Sequence, residues 1–336
     1  MRSLASPTAD PTAVPAPSQE ALAFHRSLPG YAPTPLRDLR WVAAELGLGA
    51  VALKDESDRL GLPAFKILGA SWAVDRALRE QPATHTLVAA SAGNHGRAVA
   101  RAAALRGLAA RIHLPARSSP ARRAAIAAEG AEVVVVDGSY EDAVAQAARE
   151  GQCDGILEIA DVGDSGPARW VVDGYATLFT EIREPFDVLL VPTGVGSLAA
   201  AAARYGAATG TRVVAVEPVV AACLTASLAA GEPVRVPTPG TSMAGLDCAE
   251  VSAAAWPTLR AGVHGAVTVT DAEAAEAMRE LAAHGLLIGD CGAAALAALR
   301  ALATEPGELR DALGLGAASR VLLIATEGVT DPGAGP

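Results

Sequence analysis

The stretch TLVAASAGNHGRAVARAAALR, residues 86–106, decides the fold class. It opens on a short apolar run, Thr86–Ala89, turns through Ser, Gly and Asn, and continues as a helical pattern over His95–Arg106. A run of that length ending in a polar, Gly-containing turn reads as a strand leading into a helix. The same pattern recurs along the chain. Strands are expected at Val51–Lys54, Ala110–Leu114, Glu132–Val136, Gly155–Ile159, Asp187–Val191, Arg212–Val216 and Arg320–Ile324. Helices are expected at Ser71–Glu80, Pro120–Glu129, Tyr140–Arg149, Trp170–Thr180, Ser197–Thr209 and Asp271–His284. Several strands are apolar at consecutive positions, as in parallel sheets covered on both faces. Such alternation predicts an α/β fold with open, mostly parallel sheets. Those sheets place ligands at the carboxyl ends of their strands, in the turns that lead to helices.

Composition narrows the class of protein. A chain of 336 residues favours two domains over one. It is 51% hydrophobic but only 4% aromatic, so its core is expected to be mainly Ala, Val and Leu. That hydrophobic fraction excludes a disordered chain. The 27 Lys and Arg against 37 Asp and Glu leave a net charge of −10, which argues against nucleic acid as a partner. The longest uncharged run, Val188–Ala203, contains Pro192, Gly194 and Gly196. It is too short for a bilayer, which needs about 20 apolar residues, so no membrane partner is expected. The four cysteines form no CxxC pair and the six histidines no HxH or HxxxH pair. Neither a disulfide framework nor a metal site is expected, and a cytoplasmic setting fits. Residues 1–23, rich in Pro, Ala, Ser and Thr, read as a disordered tail, with folded sequence starting near Phe24. Residues 34–56 then read as an extended lead-in, an amphipathic helix and a short strand.

Four turns carry side chains that suit chemistry. In LKDESDRLGLPAFKILGAS (53–71), Lys66 lies between Phe65 and Ile67. An amine in apolar surroundings loses solvation for its charged form, so its pKa falls and it becomes the nucleophile that Schiff-base chemistry needs. A lysine snorkelling at a helix start is the alternative. In SAGNHGRAVA (91–100), Gly93 and Gly96 allow close backbone approach, and the helix start favours an anion such as a carboxylate. Asn94 can exchange hydrogen bonds in the plane of a ring; a plain capped helix is the alternative. In VPTGVGSLAAAA (191–202), Thr193, Gly194, Gly196 and Ser197 can line a phosphate, or form only a turn. It is neither a P-loop nor a GxGxxG fingerprint, which argues against nicotinamide. In LIATEGVTDP (323–332), Thr326 stands at a strand's carboxyl end, where a hydroxyl can meet a ring nitrogen.

Taken together and in this order, these motifs resemble the fold-type II pyridoxal-phosphate enzymes, the tryptophan synthase β-like group. The particular resemblance is to the diaminopropionate ammonia-lyases and runs from about Pro35 to Pro332. It is carried by residues 53–71, the GNHGR helix, WVVDGYATL (170–178), TGVGS (193–197), VEP (216–218), MAGLDC (243–248) followed by Trp256 and Leu259-Arg260, and TEGVTDP (326–332). The resemblance implies pyridoxal 5′-phosphate as cofactor, with Lys66 as the Schiff-base lysine. Asn94 would stand beside the pyridoxal 3-hydroxyl and Thr326 would face the pyridine nitrogen. Gly194, Val195, Gly196, Ser197 and Leu198 would hold the phosphate, with Thr193 beside them. Ser91, Ala92, Gly93 and His95 would form the loop that grips the substrate carboxylate. The resemblance further implies a homodimer. It also implies two domains, with residues 68–170 as a smaller unit inserted in a cofactor domain formed by 24–67 and 171–336.

Two departures bear on the substrate. The family usually reads DGNHG, and this chain has Ala92 where that acid stands. Threonine dehydratases carry SAGNH, so an L substrate with Lys66 as base is expected. The family's second acid lies upstream of the WxxxGYATL helix. A gapless count places it at Glu158; an indel in DVGDSGP (161–167) would place it at Asp161. The family's GESG reads Gly289-Asp290-Cys291-Gly292 here, which makes Cys291 a pocket-lining candidate or a plain buried cysteine. The expected activity is elimination of ammonia, or another β substituent, from a small L-amino acid such as 2,3-diaminopropionate. It proceeds through an aminoacrylate to a 2-oxo acid, with Lys66, Glu158 and Ser91 as catalytic residues and Ser197 as an alternative acid. A β-replacement synthase and a threonine or serine dehydratase-like activity remain as alternatives.

Overall fold

The computed structural model describes residues 2–164 and 166–329. The last residues of the TEGVTDP motif, 330–332, lie outside them, as does Ser165 within DVGDSGP. The chain begins with β1 (Ser3–Ala5), α1 (Glu20–Arg26), β2 (Leu36–Asp38), α2 (Arg40–Leu46), β3 (Ala50–Asp55) and α3 (Lys66–Glu80). Four strand–helix units follow: β4 (Thr86–Ala90) with α4 (Asn94–Leu105), β5 (Ala109–Pro115) with α5 (Pro120–Ala127), β6 (Glu132–Val136) with α6 (Tyr140–Glu150), and β7 (Ile156–Glu158) with α7 (Gly166–Thr180). Then come β8 (Val188–Pro192), α8 (Ser197–Thr209), β9 (Arg212–Pro218), α9 (Cys223–Ala230), α10 (Trp256–Gly262), β10 (Gly265–Val269), α11 (Asp271–Ala283), α12 (Asp290–Thr304), α13 (Glu308–Leu313) and β11 (Arg320–Ala325).

The strands form two sheets. One has seven strands in the order β1-β10-β9-β8-β11-β3-β2, parallel except at its two edges. The other is the all-parallel β6-β5-β4-β7, whose strands lie in the chain between β3 and β8. The expected α/β class with mostly parallel sheets is the one the chain adopts. All eight expected strands are present within two residues at each end. The continuous runs VLLVP in β8 and VLLIA in β11 are buried throughout, as strands sandwiched between helices require. The alanine-rich composition also has its expected place, since α8 and α12 lay rows of buried alanines against the large sheet.

The disordered tail expected over 1–23 is not what the structure has. Ser3–Ala5 pairs antiparallel with Gly265–Val267 of β10. A short 3-10 turn at Pro11–Ala13 is capped by the Asp10 side chain, and α1 starts at Glu20. A proline-rich segment orders when an open sheet edge offers it backbone partners. Two helices also begin earlier than expected, α3 at Lys66 itself and α7 at Gly166.

Two local arrangements place the site. Lys54, Glu56 and Arg59, all at most 1% exposed, form a buried ion cluster with Glu181. Arg59 bonds Glu56 and Glu181, and Lys54 reaches Glu181 at 2.5 Å, which ties the loop after β3 to the end of α7. The helices α3 and α7 cross at glycines: a Cβ on Gly69 would fall 2.5 Å from the Tyr175 ring, and one on Gly174 would fall 2.6 Å from the Leu68 carbonyl oxygen. This close crossing fixes α3, and so its first residue.

Candidate active site

The expected residues stand at the carboxyl ends of strands of both sheets. Lys66 follows the loop after β3, which pairs back on the end of β11 through Ala64 and Glu327 and through Phe65 N–H to the Thr326 carbonyl at 3.4 Å. Lys66 is therefore brought beside Thr326. A lysine at the first position of a helix faces the positive end of the helix dipole, so it needs a compensating anion. That anion is Asp161. Its Oδ2 accepts from Lys66 Nζ at 2.9 Å, with 21% and 16% of the two side chains open.

The state of the pair differs from the simple expectation for a buried lysine. Burial lowers the affinity of Lys66 for its proton, but the Asp161 carboxylate bonded to it more than offsets this, so the ammonium is held well above the ordinary range. Burial also pushes up the phenol of Tyr175, keeping it protonated, with its ring 6.0 Å from Nζ. For Asp161, burial favours the neutral form, but His95 and Lys66 outweigh it and hold the carboxyl well below the carboxylate range. The expected fall in the lysine pKa is thus not realised in the protein alone, because the amine has a carboxylate partner.

Glu158 is not that partner. It lies on β7 opposite Val88, and its Cβ is 2.8 Å from where a Cβ on Gly151 would be, just past the C-terminal end of α6. The other end of this 11-residue helix, Tyr140, is the one near the site, with its hydroxyl 3.3 Å from the Ala90 carbonyl. The Glu158 carboxyl is raised by burial and has no charged partner among the described residues. The chain runs on from β7 for three residues before it reaches the site, a length that a gapless count misses.

The loop after β4 brings Ser91, Ala92, Gly93, Asn94 and His95 to the same place. Ser91 Oγ accepts from Gly93 N–H at 3.2 Å, and a Cβ on Gly96 would strike the Ser91 carbonyl at 2.4 Å, so this tight turn needs glycine there. His95 Nε2 lies 2.8 Å from the Ile159 carbonyl, which can only accept, so the ring carries its proton on Nε2. Its Nδ1 is 3.7 Å from Asp161. Asn94 Nδ2 donates to a Glu327 oxygen. The side chain at position 92 offers no proton acceptor.

The turn after β8 has the form of an anion cradle. Gly196 caps α8 with φ +94°, a left-handed conformation, and gives no side-chain cap to the helix's first N–H groups. A Cβ on Gly194 would lie 2.8 Å from the Gly245 carbonyl and 2.9 Å from Cys248 Sγ. A helix start of 13 residues with free donors and bare glycines suits a phosphate. Leu198 and Ser197 are buried at the helix start, and the Val195 carbonyl is held by Ser252 N–H at 2.8 Å. Ser197 Oγ donates to the Asp161 carbonyl at 3.1 Å, which links the cradle to the acid. Thr193 does not offer donors to a phosphate. Its hydroxyl donates to the Val191 carbonyl and its N–H to the Val216 carbonyl, so it braces the turn. Thr326 Oγ1 is buried with no hydrogen-bond partner, as a hydroxyl awaiting a ring nitrogen would be. These features fit pyridoxal phosphate: an amine for its aldehyde, a cradle for its phosphate, an orphan hydroxyl and an amide for its ring.

The residues 27–327 match the family model of the pyridoxal-phosphate dependent enzymes. The diaminopropionate ammonia-lyase of Salmonella typhimurium is 35% identical, over 93% of this chain and 89% of its own. The Escherichia coli diaminopropionate ammonia-lyase, solved in complex with an aminoacrylate-PLP azomethine reaction intermediate, superposes with a TM-score of 0.89 at 32% identity, covering 98% of this chain and 94% of that one. The same enzyme in complex with D-serine gives a TM-score of 0.88 at 31% identity, with the same coverage. No helix among the described residues is long and apolar enough to cross a membrane. Fold, cradle and relatives agree that this chain belongs to the pyridoxal-phosphate dependent enzymes and works with pyridoxal 5′-phosphate.

Proposed function

We propose that the chain eliminates ammonia from 2,3-diaminopropionate, or the β substituent from a related alanine, and that water then releases the α nitrogen as ammonia, so that the products are a 2-oxo acid, one ammonia from Cα and the departed β group. The observation that carries the reading is the 2.9 Å pair of Lys66 and Asp161 between the phosphate cradle and the Ser91–His95 loop. The cofactor supplies an electron sink for the pair of electrons left at Cα. Lys66 holds the cofactor and is the amine within reach of the Cα proton. Asp161, ionised, accepts the hydrogen bond of the Lys66 ammonium and offers a negative charge to a second ammonium, which diaminopropionate carries on its β carbon. Ser91 and the backbone N–H of Asn94 at the start of α4 orient the substrate carboxylate, and Ser197 steadies Asp161 through its carbonyl. Asp161, not Glu158, is then the carboxylate at the leaving group, and as an anion it binds the departing ammonium and does not protonate it. With Ala92 in the loop, Lys66 is left as the base, which favours the L isomer.

The same reading divides the chain into a cofactor part, 24–67 with 171–336, and a substrate-gripping part, 68–170. It also carries a homodimer, supported by the family resemblance, and a cytoplasmic setting, supported by four scattered cysteines. Ala92 favours a second reading, a threonine or serine dehydratase-like or β-replacement activity, because SAGNH is the sequence of that branch.

The test is turnover of L- and D-diaminopropionate, L-serine and L-threonine, with oxo acid and ammonia measured, with and without an added thiol nucleophile. L-diaminopropionate is expected to be consumed, and the D isomer roughly 10²-fold more slowly, the scale of one missing proton acceptor. Equal rates for the two isomers would refute the role given to Ala92. Borohydride is expected to fix the cofactor to the wild-type chain and not to Lys66→Ala.

A further inference from the structure

Glu327 takes no part in the reaction described above, yet it closes one wall of the site. It follows Thr326 at the end of β11 and is 8% exposed. Asn94 of α4 donates Nδ2 to it. From α12, Asp290 and Cys291 face it, with the ligand atoms of the three residues within 4.8 Å of one another. Lys66 of α3 adds a positive charge from across the site. Burial is the main influence on the Glu327 carboxyl, and it is pushed up to about 7. Burial likewise raises Asp290 and keeps Cys291 a neutral thiol.

We propose that Glu327 is a positioning residue for the cofactor ring, acting through Asn94 by fixing which way its amide turns. This rests on the reading that places Asn94 beside the pyridoxal 3-hydroxyl. An ionised carboxylate only accepts, so it captures the amide nitrogen and leaves the second N–H as the donor for the ring oxygen. A protonated Glu327 is itself a donor and draws the amide oxygen instead. The two states of one buried carboxyl thus present different atoms of Asn94 to the cofactor. Cofactor binding favours the ionised state, so affinity is highest above pH 7 and declines as Glu327 takes up its proton.

The test is equilibrium binding of pyridoxal phosphate to the apo-protein, which needs no turnover. Asn94→Ala and Glu327→Ala are each expected to raise the dissociation constant roughly tenfold, the size of one lost buried hydrogen bond. If Glu327 acts through Asn94, the double variant is no more than about twofold worse than Asn94→Ala. Additive losses, or an unchanged constant in Glu327→Ala, would overturn the proposal. An unchanged constant in Asn94→Ala would instead overturn the placement of Asn94, and this proposal with it. Glu327→Gln keeps an acceptor and the shape of the side chain, so it covers the case in which the alanine variant fails to fold. Its affinity is expected to match wild type at pH 8.5 and to lack the wild-type decline toward pH 6. A decline equal to that of wild type would also overturn the proposal.

Discussion

The two sheets meet at the site with unequal backing. In the large sheet, β8 and β10 are buried at every position, and α8, packed on β8 and β9, buries nine of its residues. In the small sheet, β6 has no fully buried position and α5 buries only Ile126. The cradle, Thr326 and Lys66 follow strands of the large sheet, while the Ser91–His95 loop and Asp161 follow β4 and β7 of the small one, whose thin packing lies at its outer β6 edge. Local stability follows buried apolar contact, so the small sheet is the part that opens at lower cost. Under the proposed assignment, the side that holds the cofactor is the one with the more completely buried strands, and the side that grips the substrate has the more exposed outer edge.

Breaking the contact where the two sides meet gives the largest expected effect. Asp161→Asn is expected to lower kcat by about 10²–10⁴, with cofactor still bound, while Glu158→Gln stays near wild type. Steady-state ammonia release measures both, and the reverse ranking would make Glu158 the carboxylate that serves the reaction. The pair also sets a pH dependence of apo-protein stability. The folded carboxyl of Asp161 is held down, so its contribution is present above pH about 4 and is lost as pH falls below that. Denaturant unfolding of wild type is expected to show this acid loss, and Asp161→Asn to lack it. Next in size, Gly196→Ala on the cofactor side is expected to weaken cofactor binding by about 1–3 kcal/mol, the cost of a left-handed non-glycine residue. Its new Cβ would also press on Leu259 Cδ1 at 2.5 Å. Titration of the apo-protein with pyridoxal phosphate reads this, and a change in substrate KM alone would blur the division between the two sides. The smallest effect is expected from deleting residues 2–8. This removes an edge strand far from the chemistry, so the melting temperature should fall by about 2–4 °C per kcal/mol lost while kcat holds.

What the sequence makes legible follows from where a side chain's meaning is local. The strands of both sheets can be read because their apolar runs are continuous. Lys66, Asn94, Gly194, Gly196 and Thr326 can be read because each belongs to a turn at a strand's carboxyl end. Residues whose meaning depends on distant partners cannot. Asp161 is reached only after three residues of loop, so counting back along α7 points to Glu158 instead. Thr193 looks like a phosphate donor until β8 and β9 claim its hydroxyl and N–H. Glu217, in the VEP motif, caps α9 by accepting from Leu224 and Thr225 N–H, a structural role that its motif does not declare. α12 has eleven buried residues of fifteen and so lacks the one-sided periodicity that marks a helix.

The pairing of β1 with β10 has a consequence for how the protein is made. Ser3 and its partner Val267 are 264 positions apart in the chain. At about 5–20 residues per second, translation separates the two strands by tens of seconds. The edge of the large sheet therefore cannot close until nearly four-fifths of the chain has left the ribosome. Throughout that interval the N-terminal segment must stay soluble without its partner. Its prolines, together with Ser and Thr, suit that wait, since they resist pairing with a wrong strand. The composition that reads as disorder in the finished sequence is thus the composition of a segment that is made first and must wait for its partner.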